Sequence, residues 1–148
     1  MTTAWDSSFR ESLVDRAKRL TADTKPAWGK MHASGMLAHI NDSYRMVLGD
    51  LAVKSKNLPI RFTPIKQLII YVAPFPKGAP TAPELIARCD GANLADEQQA
   101  YGELLSRLGA ITKATKLQPH PAFGTLTHRA YGVLIARHTD HHFRQFGL

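Results

Sequence analysis

The stretch TLTHRAYGVLIARHTDHHFRQFGL (residues 125–148) decides the fold class. Its apolar residues Tyr131, Leu134 and Ile135 and its histidines His138 and His142 recur at three- and four-residue steps, the period of a helix with one hidden face. Thr125 can cap its start, so the spacing predicts a helix from there to near the C-terminus. His138 and His142 lie one turn apart on a shared face, and two imidazoles so placed can converge on one divalent cation.

The same period runs backwards through the chain, while the period-two alternation of strands is nearly absent. Ser8 followed by Glu11 reads as a capping box opening a first helix to about Leu20, with Phe9, Leu13, Val14, Ala17 and Leu20 inward. Pro26 and Gly29 break it, and a second helix is expected over roughly His32 to Leu48, stopped by Gly49. Its few charges imply burial on more than one side, as for a central bundle helix. Thr63-Pro64 opens a short helix that Pro74 and Pro76 end. A Pro/Gly-rich connector follows from Ala73 to Pro83, Glu84 to Arg88 forms one turn, and a further helix covers about Ala95 to Ile111. No repeat, low-complexity segment or domain boundary interrupts residues 1–148. The expectation is a single all-α domain, an antiparallel four-helix bundle with a short additional helix.

Of 148 residues, 44% are hydrophobic and 21% charged, enough for one core without disulfides or a structural metal. The single cysteine, Cys89, excludes a disulfide framework and every Cys-rich zinc module. The longest apolar run, Leu68 to Phe75, is far short of the ~18 residues of a membrane helix, and the polar start through Arg10 is no export signal. A cytoplasmic protein with no membrane partner is expected. Nineteen Lys and Arg against 12 Asp and Glu give +7, which raises an anionic partner. No run of five like charges and no aromatic-interleaved basic face occurs, so nucleic acid is not expected as a partner. The biased stretch is Leu51 to Pro83, which holds Lys54, Lys56, Arg61, Lys66 and Lys77 and no acid. It reads as a solvated edge or as a field that attracts an anionic substrate.

A third ligand for the His138–His142 pair must come from another helix. His39 is the best donor, because it interrupts the apolar turn Met36, Leu37, Ala38, Ile40, where burial demands a polar partner or a metal. His141 points about 100° off the face of the pair and belongs to the surroundings or to solvent. His128 is too far along the helix, and His32 and His120 fall at a helix start and in a loop, where capping or exposure is expected. Asp42, one turn after His39, is a candidate to support it, whereas Asp140 is rotated towards a salt bridge elsewhere. Trp28, Tyr44, Phe123 and Tyr131 either line a pocket or fill the core. The Glu-x-x-His repeat of di-iron bundles is missing, and no GxGxxG, Walker A or GxSxG sequence occurs.

Two blocks carry a resemblance to the DinB-like superfamily, in a branch of unknown function. They are Trp28-Gly29-Lys30-Met31 with Met36-Leu37-Ala38-His39, and His120-Pro121-Ala122-Phe123-Gly124 with residues 138–147, from His138 to Gly147. The resemblance implies a four-helix bundle with a three-histidine metal site, carried here by His39, His138 and His142, and Gln145 matches a glutamine of the family. Where many relatives have Arg-Gly-Gln, this chain has Phe143-Arg144-Gln145. The resemblance further implies zinc, with nickel or iron as other occupants, a homodimer, and a small-molecule substrate such as a low-molecular-weight thiol. The reading is a metal-dependent thiol S-transferase or hydrolase, with Asp42, His141 and Gln145 as candidates to support the ligands. The alternative is a non-catalytic dimeric helical binding module.

Overall fold

The computed structural model describes residues 1–148, with five α-helices: α1 (Ser7–Lys18), α2 (Ala33–Leu48), α3 (Ile65–Tyr71), α4 (Leu94–Gly109) and α5 (His128–Gln145). Short 3-10 turns cover Pro59–Arg61, Pro83–Leu85 and Cys89–Gly91, and the lone β-bridge joins His120 to Gly124. The fold is all-α, and no helix is long and apolar enough to cross a membrane.

α2 is the central element: thirteen of its sixteen residues are buried. Gly49 ends it at φ 84, a left-handed conformation that costs glycine little, and the Asp50 N–H closes the motif on the Arg45 carbonyl at 2.8 Å. Side chains from α1, α2, α4 and α5 form the main core, including Leu13, Leu37, Ile40, Leu108 and Phe143. Leu37, Ile40, Leu108 and Phe143 retain no exposure. Each such burial stabilises the fold by roughly 1.5–3 kcal/mol. A smaller cluster of Ile70, Phe123, Ala130, Val133 and Leu134 fastens α3 to the outer side of α5. Tyr44, Phe123 and Tyr131 are therefore core residues; Trp28 is only half-buried.

Two helix starts differ from the sequence reading. Asp6, not Ser8, occupies the α1 N-cap, and the Ser8–Glu11 capping box does not form. The Asp6 carboxylate instead accepts from the Thr3 N–H at 2.8 Å, and Arg10 donates to the Ala4 and Trp5 carbonyls, so the chain before the helix is tied by charge-assisted bonds. Thr127, not Thr125, caps α5, its hydroxyl accepting from the Ala130 N–H at 3.2 Å. Leu126 packs against both clusters, which places the helix start after it.

The buried carboxylates are paired, although the Tyr131 hydroxyl and Asn41 Oδ1 are buried without a partner. The carboxylates of Asp42 on α2 and Glu97 on α4, each 4% exposed, are bridged by Arg88, whose guanidinium reaches Asp42 at 2.9 Å and Glu97 at 2.6 Å. Arg45 also pairs with Asp42 at 2.7 Å, and Asn41 donates to Glu97 at 2.7 Å. Deeper in the bundle the Tyr44 hydroxyl meets Thr139 Oγ1 at 2.8 Å.

A candidate metal centre between α2 and α5

His39 on α2 and His138 and His142 on α5 bring one ring nitrogen each to within 4.8 Å of one another. α2 and α5 both bury the face that carries them, so three imidazoles meet in one small volume. His39 is 2% exposed and His142 9%, whereas His138 is only half-buried. The ring centroids of the three lie 4.8–5.1 Å apart, each pair close to edge-on. No cysteine or carboxylate joins the cluster.

Hydrogen bonds on the far side of two rings fix what the near side offers. The Leu85 carbonyl lies 3.0 Å from His39 Nδ1; a carbonyl can only accept, so Nδ1 carries the proton and Nε2 keeps its lone pair. Gln145 Nε2 donates to the Trp28 carbonyl at 2.7 Å, which turns Gln145 Oε1 towards His142 Nδ1 at 3.0 Å. His142 therefore also holds its proton on Nδ1 and leaves Nε2 free. His39 Nε2 approaches His138 Nε2 at 3.1 Å. An edge of a tetrahedron around zinc with Zn–N distances of ~2.0–2.1 Å measures about 3.3 Å, so this pair stands near ligand spacing, and the donor set fits a divalent ion.

The electrostatics keep these rings neutral, the state a metal ligand needs. Burial lowers His39 despite its Leu85 bond and the charge of Asp42. Burial, then His39, lowers His142 to about 3, and burial with the facing His142 and His39 holds His138 well below 6.5.

The supporting residues divide. Gln145 holds His142 directly. Asp42 does not hold His39: Arg45 and Arg88 occupy its carboxylate, and the Leu85 carbonyl takes the place expected for it. His141 bonds to none of the three; its ring lies 5.3 Å from His142 and 5.8 Å from Trp28. Asp140 pairs with Arg16 and Arg144. His120 Nδ1 accepts from the Ala122 and Phe123 N–H groups, capping its own loop.

Sequence reasoning missed Leu85 and Phe75. The Leu85 carbonyl belongs to a 3-10 turn whose approach to α2 is tertiary and leaves no local signal. Phe75 lies 6.1 Å from the His138 ring on the connector after α3. Arg137 holds that connector by donating to the carbonyls of Ile69 (2.9 Å), Ile70 (2.6 Å) and Ala73 (2.5 Å), which closes the C-terminus of α3.

Against known proteins, the family model described as the DinB superfamily matches residues 8–146, a span that takes in α2 to α5, all but the first residue of α1, and all three histidines. No curated protein and no solved structure matches the chain. With the match covering nearly its whole length, the chain belongs to the DinB superfamily.

Proposed function

We propose that His39, His138 and His142 hold one divalent metal ion, zinc in the first place and nickel or iron as alternatives, and that the protein is a metal-dependent transferase or hydrolase acting on a small molecule. The observation that carries this is the three-nitrogen cluster with no fourth protein ligand, backed by outer partners that turn His39 and His142 towards each other. Such an ion supplies Lewis acidity at an open position, enough to favour hydroxide over water or thiolate over thiol near neutral pH. The chain's own share is orientation: Leu85 and Gln145 fix two tautomers, and burial keeps the imidazoles unprotonated. A closed four-ligand site would favour the binding-module reading; an open one favours chemistry on a low-molecular-weight thiol or on water.

The working form in this reading is a homodimer. Ile65 and Leu68 on α3 and Val72 at its C-cap have exposures of 45, 54 and 69%, an apolar stripe that a second copy would cover.

Elemental analysis of tag-free protein beside a His39→Ala, His138→Ala double variant tests the site. A metal-to-chain ratio near one that collapses in the variant is expected. Wild-type protein that arrives metal-free and fails to bind added zinc or nickel overturns it.

A further inference from the structure

The surroundings of the three histidines are not symmetrical. On one side stand two aromatic rings: Phe75, 6.1 Å from His138 and 5.9 Å from His141, and Trp28, 5.8 Å from His141. Trp28 is coupled to the cluster through its carbonyl, which receives the Gln145 amide that also holds His142. Above the Trp28 ring sits the ammonium of Lys77, 4.5 Å from the centroid, on the same connector as Phe75.

Lys77 is exposed and makes no ion pair, so the ring positions it while its N–H donors stay available. No acid occurs from Leu51 to Pro83, the segment that carries it. The carboxylates nearest the cluster in sequence are spent: Asp42 on Arg45 and Arg88, Asp140 on Arg16 and Arg144. The other cation at this edge, Arg137, lies over Phe75 at 5.4 Å but gives its N–H groups to the end of α3. One free positive charge therefore stands beside the site, with apolar ring surface between it and the histidines.

Resting on the metal-centre reading, we propose that Lys77 forms an anion subsite at the rim of the three-histidine site, and that the substrate is a small molecule bearing a carboxylate. The carboxylate pairs with Lys77, the middle of the molecule lies along Trp28 and Phe75, and the reacting end faces the histidines. A lysine suits this role as a compact, flexible charge that follows ligands of different length. The pairing is partly exposed, so its strength falls with ionic strength.

Calorimetric titration with glutathione and its diethyl ester as probes tests this, after the zinc stoichiometry of the same samples has been measured. For zinc-loaded wild type at low ionic strength, glutathione is expected to bind about three- to fivefold more tightly than the ester. In Lys77→Gln the zinc stoichiometry stays at one while the preference falls below about 1.5-fold, and Lys77→Arg restores it. Equal binding of the two probes to wild type, a preference that survives in Lys77→Gln, or no binding of glutathione to zinc-loaded protein overturns the subsite. Failure of the wild type to take up zinc overturns the metal-centre reading instead, and the stoichiometry reports that separately.

Discussion

The side chain of Gln145 ties the imidazole of His142 to the backbone of Trp28, its Oε1 lying 3.0 Å from Nδ1 and its Nε2 donating to the carbonyl at 2.7 Å. Two otherwise distant segments, the loop before α2 and the end of α5, are joined at the ring that faces His39 and His138. The loop adapts to that contact. Gly29 follows Trp28 at φ +82, and a Cβ there would stand 2.7 Å from Gln145 Nε2.

Gln145→Leu removes both bonds and leaves His142 free to turn or to change tautomer. Metal affinity is expected to fall about 10–100-fold, the usual cost of losing the group that orients a ligand. Competition against a chromophoric chelator reads it directly. A variant of native helicity that keeps wild-type affinity would show that Gln145 does not position His142.

Metal-free protein is expected to lose stability as the pH falls below 6.5. Burial depresses the folded-state values of His39, His138 and His142 and takes His120 to about 4, whereas the unfolded chain protonates near 6.5. The unfolded state thus gains protons that the folded state refuses, and the stability present above 6.5 is lost towards 4. His120→Asn isolates one share, because an asparagine carboxamide can still accept from the Ala122 and Phe123 N–H groups without titrating. Its urea-unfolding free energy is expected to vary less steeply between pH 6 and 4.5, by about 1 kcal/mol per pH unit. Parallel profiles for variant and wild type would contradict this.

Arg88→Met is expected to destabilise the fold by separating the α2–α4 carboxylates from their shared cation. Because 44% of the arginine side chain is exposed and Arg45 still serves Asp42, the cost is below that of a fully buried pair, about 2 kcal/mol. For a chain of this size that corresponds to roughly 4–8 °C in Tm. Calorimetry of variant and wild type checks the magnitude, and an unchanged Tm would show that the bridge does not hold α2 to α4.

The parts of this molecule that were legible in the sequence are those in which one helix carries its own evidence. The i, i+4 spacing puts His138 and His142 on one face without help from any other element, and His39 stands out as a polar residue in an apolar turn. Gly49 marks the end of α2 because a left-handed residue is needed there. The partners were hidden where recognition crosses between elements. Arg88 reads as an ordinary turn arginine, yet it neutralises two buried acids; Asp42, one turn from His39, goes to that arginine and not to the histidine. The starts of α1 and α5 were displaced by two residues for a related reason. Several nearby residues can cap each helix, and the choice is made by contacts elsewhere, Thr3 and Arg10 around Asp6 and the packing of Leu126 before Thr127.

Gly132 is the closest approach of the N-terminal segment to α5. A Cβ at this position would stand 2.3 Å from Trp5 Nε1, which donates to the His128 carbonyl at 2.9 Å, and the neighbouring Ala4 N–H bonds to the Gly132 carbonyl at 2.9 Å. Gly132→Ala must therefore displace the indole. In a well-packed site such overfilling costs about 1–3 kcal/mol, offset in part by the roughly 1 kcal/mol that alanine adds within a helix. The net loss is small because Trp5 is only half-buried and its indole can swing outward while Ala4 stays in the core. The expected signature is local: a red-shifted Trp5 emission, measured with Trp28→Phe in the background, metal stoichiometry unchanged, and a Tm lowered by a few degrees. Unaltered emission from Trp5 would mean that the segment does not seat against α5 in solution.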